Sequence, residues 1–154
     1  MSDQDIRSVL SGFGLDVSED LLNSAIDLAN GSVRKTLQLV NGNVVSDFNA
    51  YKTMVESGSV KSSRDWSAII AIVDRLTSKG NEETFRLFYE LTTNWIEDRV
   101  RNQAGKASLS SLAAFGQLWE KTRESISVAE AYNLDRKQVI LTLTQRLFKM
   151  NAEL

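Results

Sequence analysis

The stretch Leu21–Val40, "LLNSAIDLANGSVRKTLQLV", decides the fold class. Leu21, Leu22, Ala25, Ile26, Leu28 and Ala29 recur at helical spacing and cover a broad face. Asn30-Gly31 then interrupts the run with two residues that accept left-handed backbone and so end helices. Ser32 caps a second helix, whose apolar stripe is Val33, Leu37 and Val40. The stretch therefore reads as two amphipathic helices joined at a tight corner. Immediately upstream, Ser18 caps the first of them and puts Glu19 and Asp20 in its first turn, where negative charge suits the helix dipole.

Working outward, Ser2 and Asp5 stand in capping-box spacing ahead of Ile6, Val9 and Leu10, which share one helical face. Gly12-Phe13-Gly14 stops that helix, and Asn41-Gly42-Asn43 closes the unit. Residues 1–43 thus form a three-helix piece, about the size at which a single core becomes marginal. A short polar joint, Val44 to Asp47, is expected next, with a helix from about Ser46 to Glu56 carrying Phe48, Tyr51 and Val55. Ser57-Gly58-Ser59 reads as a loop, with Ser62 or Ser63 capping a helix that bears Trp66, Ile69, Ile70, Val73 and Leu76. Lys79-Gly80-Asn81 ends it. The helix from Asn81 to about Asn102 has Phe85, Phe88, Tyr89, Thr92, Trp95 and Ile96 along one side, widened by Leu87 and Leu91. So wide an apolar arc belongs to a helix surrounded by neighbours.

After a loop from Ala104 to Ser108, Leu109, Leu112, Phe115, Trp119 and Ile126 mark a long helix to about Tyr132. Asp135 and Gln138 then open a last helix with Val139, Ile140, Leu143, Leu147 and Met150. No alternating strand pattern occurs. The expected fold is all-α, a small three-helix domain at 1–43 and a five-helix bundle at 46–154.

Composition narrows the chemistry. The 154 residues include no histidine and no cysteine. Histidine-based triads, proton shuttles, thiol nucleophiles and the common zinc sites are thereby excluded. The net charge of −2 argues against binding nucleic acid by charge alone. Residues 1–43 carry three bases against six acids and the remainder fifteen against fourteen, so neither part is a basic module. No apolar run approaches the ~18 residues that would span a membrane, and the polar start Met1-Ser2-Asp3-Gln4-Asp5 is no secretory signal. The expected location is cytoplasmic.

Gly31-Ser32-x-Arg34 is the best candidate for chemistry. A helix beginning at Ser32 offers free backbone N–H groups and the positive end of its dipole. Arg34 sits in that first turn, where the dipole disfavours a cation and a nearby phosphate would resolve the conflict. The plain alternative is that Ser32 is only a cap and Arg34 is solvated. Other features read as structure. Asp135 caps the last helix with Arg136 and Lys137 as surface charges, and Glu97, Asp98, Arg99 and Arg101 form a charged helical face. Phe85, Phe88, Tyr89 and Trp95 are core, and Gly12 and Gly14 have neither the strand nor the third glycine of a dinucleotide fingerprint. No catalytic residue, metal ligand or cofactor is expected.

Three passages carry a resemblance. "LLNSAIDLANGSVRKTLQLV" resembles the three-helix lid domain of clamp-loader ATPases, in which Gly-Ser-x-Arg is the sensor-2 signature. "YELTTNWIEDRVRNQAG" and "LWEKTRESISVAEAYNLDRKQVILTLTQRL" look like the C-terminal collar domain of the bacterial DNA polymerase III delta-prime family. The likeness runs from about Asp3 to Leu147. It implies that residues 1–43 are lid and 46–154 collar, in a C-terminal piece of a longer protein. The family's ATPase module, its phosphate loop and its Ser-Arg-Cys motif are absent from the sequence. By the same resemblance Arg34 corresponds to the sensor-2 arginine, with Gly31 and Ser32 beside it, and the implied partners are the delta and gamma/tau subunits. Primed DNA and the sliding clamp would be met only through the assembled complex. The implied role is a non-catalytic assembly region. The rival readings are a stand-alone helical adaptor unrelated to replication, and a Mg²⁺-dependent phosphate-ester hydrolase, which would need several carboxylates converging on a cleft.

Overall fold

The computed structural model describes residues 2–14, 16–57, 63–103, 109–132 and 135–153. These form eight helices and no strand: α1 (Asp3–Ser11), α2 (Glu19–Ala29), α3 (Val33–Val40), α4 (Val44–Ser57), α5 (Ser63–Thr77), α6 (Glu82–Gln103), α7 (Leu109–Tyr132) and α8 (Arg136–Glu153). The chain divides into two compact units, Met1–Asn49 and Ala50–Leu154. The loop residues Gly58 and Ser59, the Ser62 cap and the loop from Ala104 to Ser108 lie outside the described residues, as do the side chains of Leu112, Phe115, Ile126 and Met150.

In the first unit the caps act as the sequence predicts. Ser2 Oγ accepts the Asp5 N–H at 3.2 Å, and Asp5 Oδ2 accepts the Ser2 N–H at 3.2 Å and its hydroxyl at 2.6 Å. Ser18 Oγ accepts the Leu21 N–H at 3.3 Å. Each cap satisfies an N–H that the first helical turn leaves open. Ile6, Leu10 and Ile26 make a core against which Leu22, Val33 and Leu37 pack. Val9, expected beside Ile6 and Leu10, is instead 39% exposed and takes no part in that cluster. The expected polar joint at Val44 to Asp47 is the first turn of α4, and Val44 and Val45 are buried. With Phe48 they continue the apolar stripe backward, so the helix begins two residues earlier than its polar residues suggest.

In the second unit α5, α6, α7 and α8 pack in cyclic order, each on the next and α8 back on α5. Most of the expected core is found: Phe85, Phe88, Tyr89, Trp95 and Ile96 of α6 are buried, with Ile69, Val73 and Leu76 of α5 and Ile140, Leu143 and Leu147 of α8, whereas Ile70, at the edge of the α5 stripe, is 37% exposed. Tyr51 of α4 is fully buried, its ring edge-on to Phe88 at 5.2 Å, an arrangement aromatic quadrupoles favour. Trp66 of α5 meets Phe148 of α8 in the same way at 5.7 Å. Leu109 departs from expectation: the first residue of α7, it is 87% exposed. The corner between α5 and α6 is tied by Asn81. Its amide Nδ2 donates to the Arg75 carbonyl at 2.8 Å and to Ser78 Oγ at 2.7 Å, while Gly80 takes φ 91°. Left-handed backbone at that point costs a glycine nothing. Among the described residues, no helix is long and apolar enough to cross a membrane.

Candidate functional site

The turn from α2 into α3 follows from two residues. Asn30 adopts φ 50°, ψ 46° and Gly31 follows at φ 82°, so the chain reverses within two left-handed steps. Ser32 returns to extended backbone, donates its N–H to the Ala29 carbonyl at 3.1 Å and starts α3. Its Oγ accepts the Lys35 N–H at 3.3 Å. Its carbonyl accepts the Thr36 N–H at 2.9 Å and the Thr36 hydroxyl at 2.8 Å. The N–H groups of Val33 and Arg34 remain the open donors of that first turn.

Gly31, Ser32 and Arg34 thus share one turn, with Ser32 and Arg34 exposed. The Arg34 guanidinium has no partner among the described residues. Two backbone donors, a dipole end and a guanidinium can attract a phosphate. With Ser32 and Arg34 both exposed, such an anion would be met at the surface of the first unit.

The other sequence candidates resolve into structure. Asp135 Oδ1 accepts the Lys137 N–H at 3.0 Å and caps α8. Arg136 and Lys137 are more than the surface charges expected. The Arg136 guanidinium lies over the Phe85 ring at 5.4 Å, and Lys137 Nζ meets Asp74 Oδ1 of α5 at 2.6 Å. Each thereby ties α8 to a neighbouring element. Glu97 and Arg101 pair one turn apart on the exposed face of α6, as their spacing predicts. Arg99 stacks on the Trp95 ring at 5.6 Å. Among the described residues no group of three or more aspartates or glutamates is placed to hold a metal ion.

Two concavities went unread in the sequence. In the first unit a cleft of about 200 Å³ lies between Leu10, Val17 and Leu22, with Arg7 fixed at its edge by Glu19 at 2.7 Å and by Asn23. Its partners are 12 and 16 residues away, a distance at which no local signal reveals them. In the second unit a groove of about 140 Å³ runs between α6, α7 and α8. Both fall below the roughly 300 Å³ at which small-molecule sites begin. Comparison of the chain with protein-family models, curated proteins and solved structures gives no match.

Proposed function

We propose that the chain is a non-catalytic assembly region of a clamp loader, of the delta-prime type, in which residues 1–43 act as lid and 46–154 as collar. The observation that carries this reading is the order of parts. A three-helix unit with Gly-Ser-x-Arg opening its third helix precedes a larger all-helical bundle, in a chain whose later passages resemble the delta-prime collar. The collar packs with the delta and gamma/tau subunits, and the assembled loader places the sliding clamp on primed DNA. Arg34, at the exposed start of α3, meets either a nucleotide phosphate held by the ATPase module or a protein acceptor there. Function in this reading is protein contact in the cytoplasm, and the purified chain turns over no ATP.

The test is reconstitution. The chain is mixed with delta and gamma/tau subunits and run by size exclusion with light scattering, alongside an ATPase assay of the chain alone. Co-elution with no intrinsic turnover supports the reading. Failure to associate in any combination favours a stand-alone adaptor, and measurable turnover by the chain alone overturns the non-catalytic assignment.

A further inference from the structure

We propose that the groove between α6, α7 and α8 is a docking site for an acidic amphipathic segment of a partner protein. The inference concerns the bundle by itself and holds or fails independently of the clamp-loader reading. The groove has an apolar floor made by Tyr89, Val139 and Leu143. Its two walls differ in what they offer. On the α7 side the hydroxyls are spent internally: Thr122 Oγ1 donates to the Leu118 carbonyl at 2.7 Å and Ser125 Oγ to the Lys121 carbonyl at 2.7 Å. The Tyr89 hydroxyl, at the base, donates to the Thr122 carbonyl at 2.6 Å.

The α8 wall is a straight row of polar side chains at intervals of four, Gln138, Thr142 and Arg146. Among the described residues none of these three side chains has an internal partner. The row extends over roughly 12 Å at 1.5 Å per residue, two helical turns. Charge along α8 is one-sided as well, since from Arg136 to Lys149 there are four bases and no acid. Phe85 engages Arg136 and Asp74 engages Lys137, which leaves Arg146, in the wall of the groove, and Lys149, three residues further along α8, as exposed cations.

Gln138 and Thr142 can donate or accept, so the charge of the wall decides: Arg146 over an apolar floor favours an occupant with carboxylates on one edge and aliphatic carbon on the next. The volume accommodates a side chain and is too small for a metabolite. Leucine or isoleucine on the floor and glutamates one turn apart against Thr142 and Arg146 meet both demands, as an amphipathic helix presents them. Complementary charge of this kind sets which partner binds and in what orientation.

The test uses the full chain, labelled with ¹⁵N, and a short capped peptide with leucines four residues apart flanked by glutamates. Saturable amide shifts confined to the surroundings of Thr122, Ser125, Gln138, Thr142 and Arg146 are expected. Arg146→Glu weakens binding by about tenfold or more, the scale of losing a charged contact. Thr142→Trp, which fills the groove, abolishes it. Both positions are solvent-accessible, so both variants keep the parent's circular dichroism and melting temperature. A matched peptide with lysines for glutamates does not bind. Equal binding of the lysine peptide, shifts centred elsewhere, absence of saturation at millimolar peptide, or peptide-free shifts at these residues that grow with chain concentration would each overturn the proposal.

Discussion

The Tyr51 hydroxyl lies 2.8 Å from Thr144 Oγ1, joining α4 to α8 across 93 residues of sequence. Thr144 has one hydroxyl hydrogen and gives it to the Ile140 carbonyl at 2.8 Å, so in the tyrosine–threonine bond Tyr51 is the donor. The two ends of this bond are therefore unequal. Thr144→Val leaves a fully buried phenol with no acceptor and costs about 1–3 kcal/mol. Tyr51→Phe leaves only a lone pair without its donor and costs less, on the order of 1 kcal/mol. The double variant is more stable than the sum of the two losses. Urea denaturation of the four proteins measures all three quantities, and equal single losses would refute the assigned direction.

Burial of the same phenol makes the second unit sensitive to alkali. Removal from water is the main cause that raises the Tyr51 pKa above the ordinary 10.0, and the Thr144 bond opposes it only in part. A raised folded pKa means stability is complete below pH 10 and declines as pH rises above it toward the folded value. Tyr51→Phe removes that component, so its stability falls less steeply between pH 9 and pH 11 than the parent's. Thermal melts across that interval provide the comparison.

At the other end of the pH scale, α1 carries an acid-sensitive cap. The hydroxyl of Ser2, and then its backbone N–H, hold the Asp5 carboxyl below the ordinary 3.8. A depressed folded pKa means the contribution is present above pH 3.8 and lost as pH falls through the folded value beneath it. Amide exchange in α1 should accelerate over that interval, and Ser2→Ala, which keeps the backbone N–H but loses the hydroxyl, should weaken the dependence. An Asp5 carboxyl ¹³C titration at the ordinary value would contradict the cap.

The corner between α2 and α3 separates a structural serine from an arginine with no structural duty. Ser32→Ala removes the cap of α3 and costs about 1 kcal/mol. Gly31→Ala forces a side chain into φ 82° and costs about 1–2 kcal/mol. Arg34→Ala changes stability by less than about 0.5 kcal/mol, as exposed positions without partners do. Chemical denaturation followed by helical ellipticity orders the three. A loss at Arg34 equal to that at Ser32 would make the arginine part of the fold rather than a group directed outward.

Helix type and extent were legible because the caps are local. Ser2, Ser18, Ser32 and Asp135 each bond within three residues of themselves, so spacing alone identifies them. The paired caps of the first unit and the stripe of α6 belong to the same class of information. What escaped depends on neighbours distant in sequence. Lys137 reads as a solvated charge until α5 brings Asp74 beside it, and Arg136 until α6 brings Phe85. Val9 shares a stripe with Ile6 and Leu10, yet which edge of a stripe is covered depends on the helix opposite. The Gly31-Ser32-Arg34 turn was visible as a cap and a corner. The α8 groove was invisible: Gln138, Thr142 and Arg146 read as an ordinary polar face until α7 and Tyr89 supply the opposite wall and the floor.

Thr92 and Thr144 are equally deep, at 1% and 0% exposure, and each returns its hydroxyl hydrogen to the carbonyl four residues before it. Thr92 asks nothing of another helix, so a valine there loses only a bond internal to α6. Thr144 also receives Tyr51, and the same valine strands a phenol. Depth is therefore a poor guide to which of these positions evolution or a designer can vary. In this bundle, freedom to mutate is set by whether a buried oxygen is already in use by someone else's hydrogen.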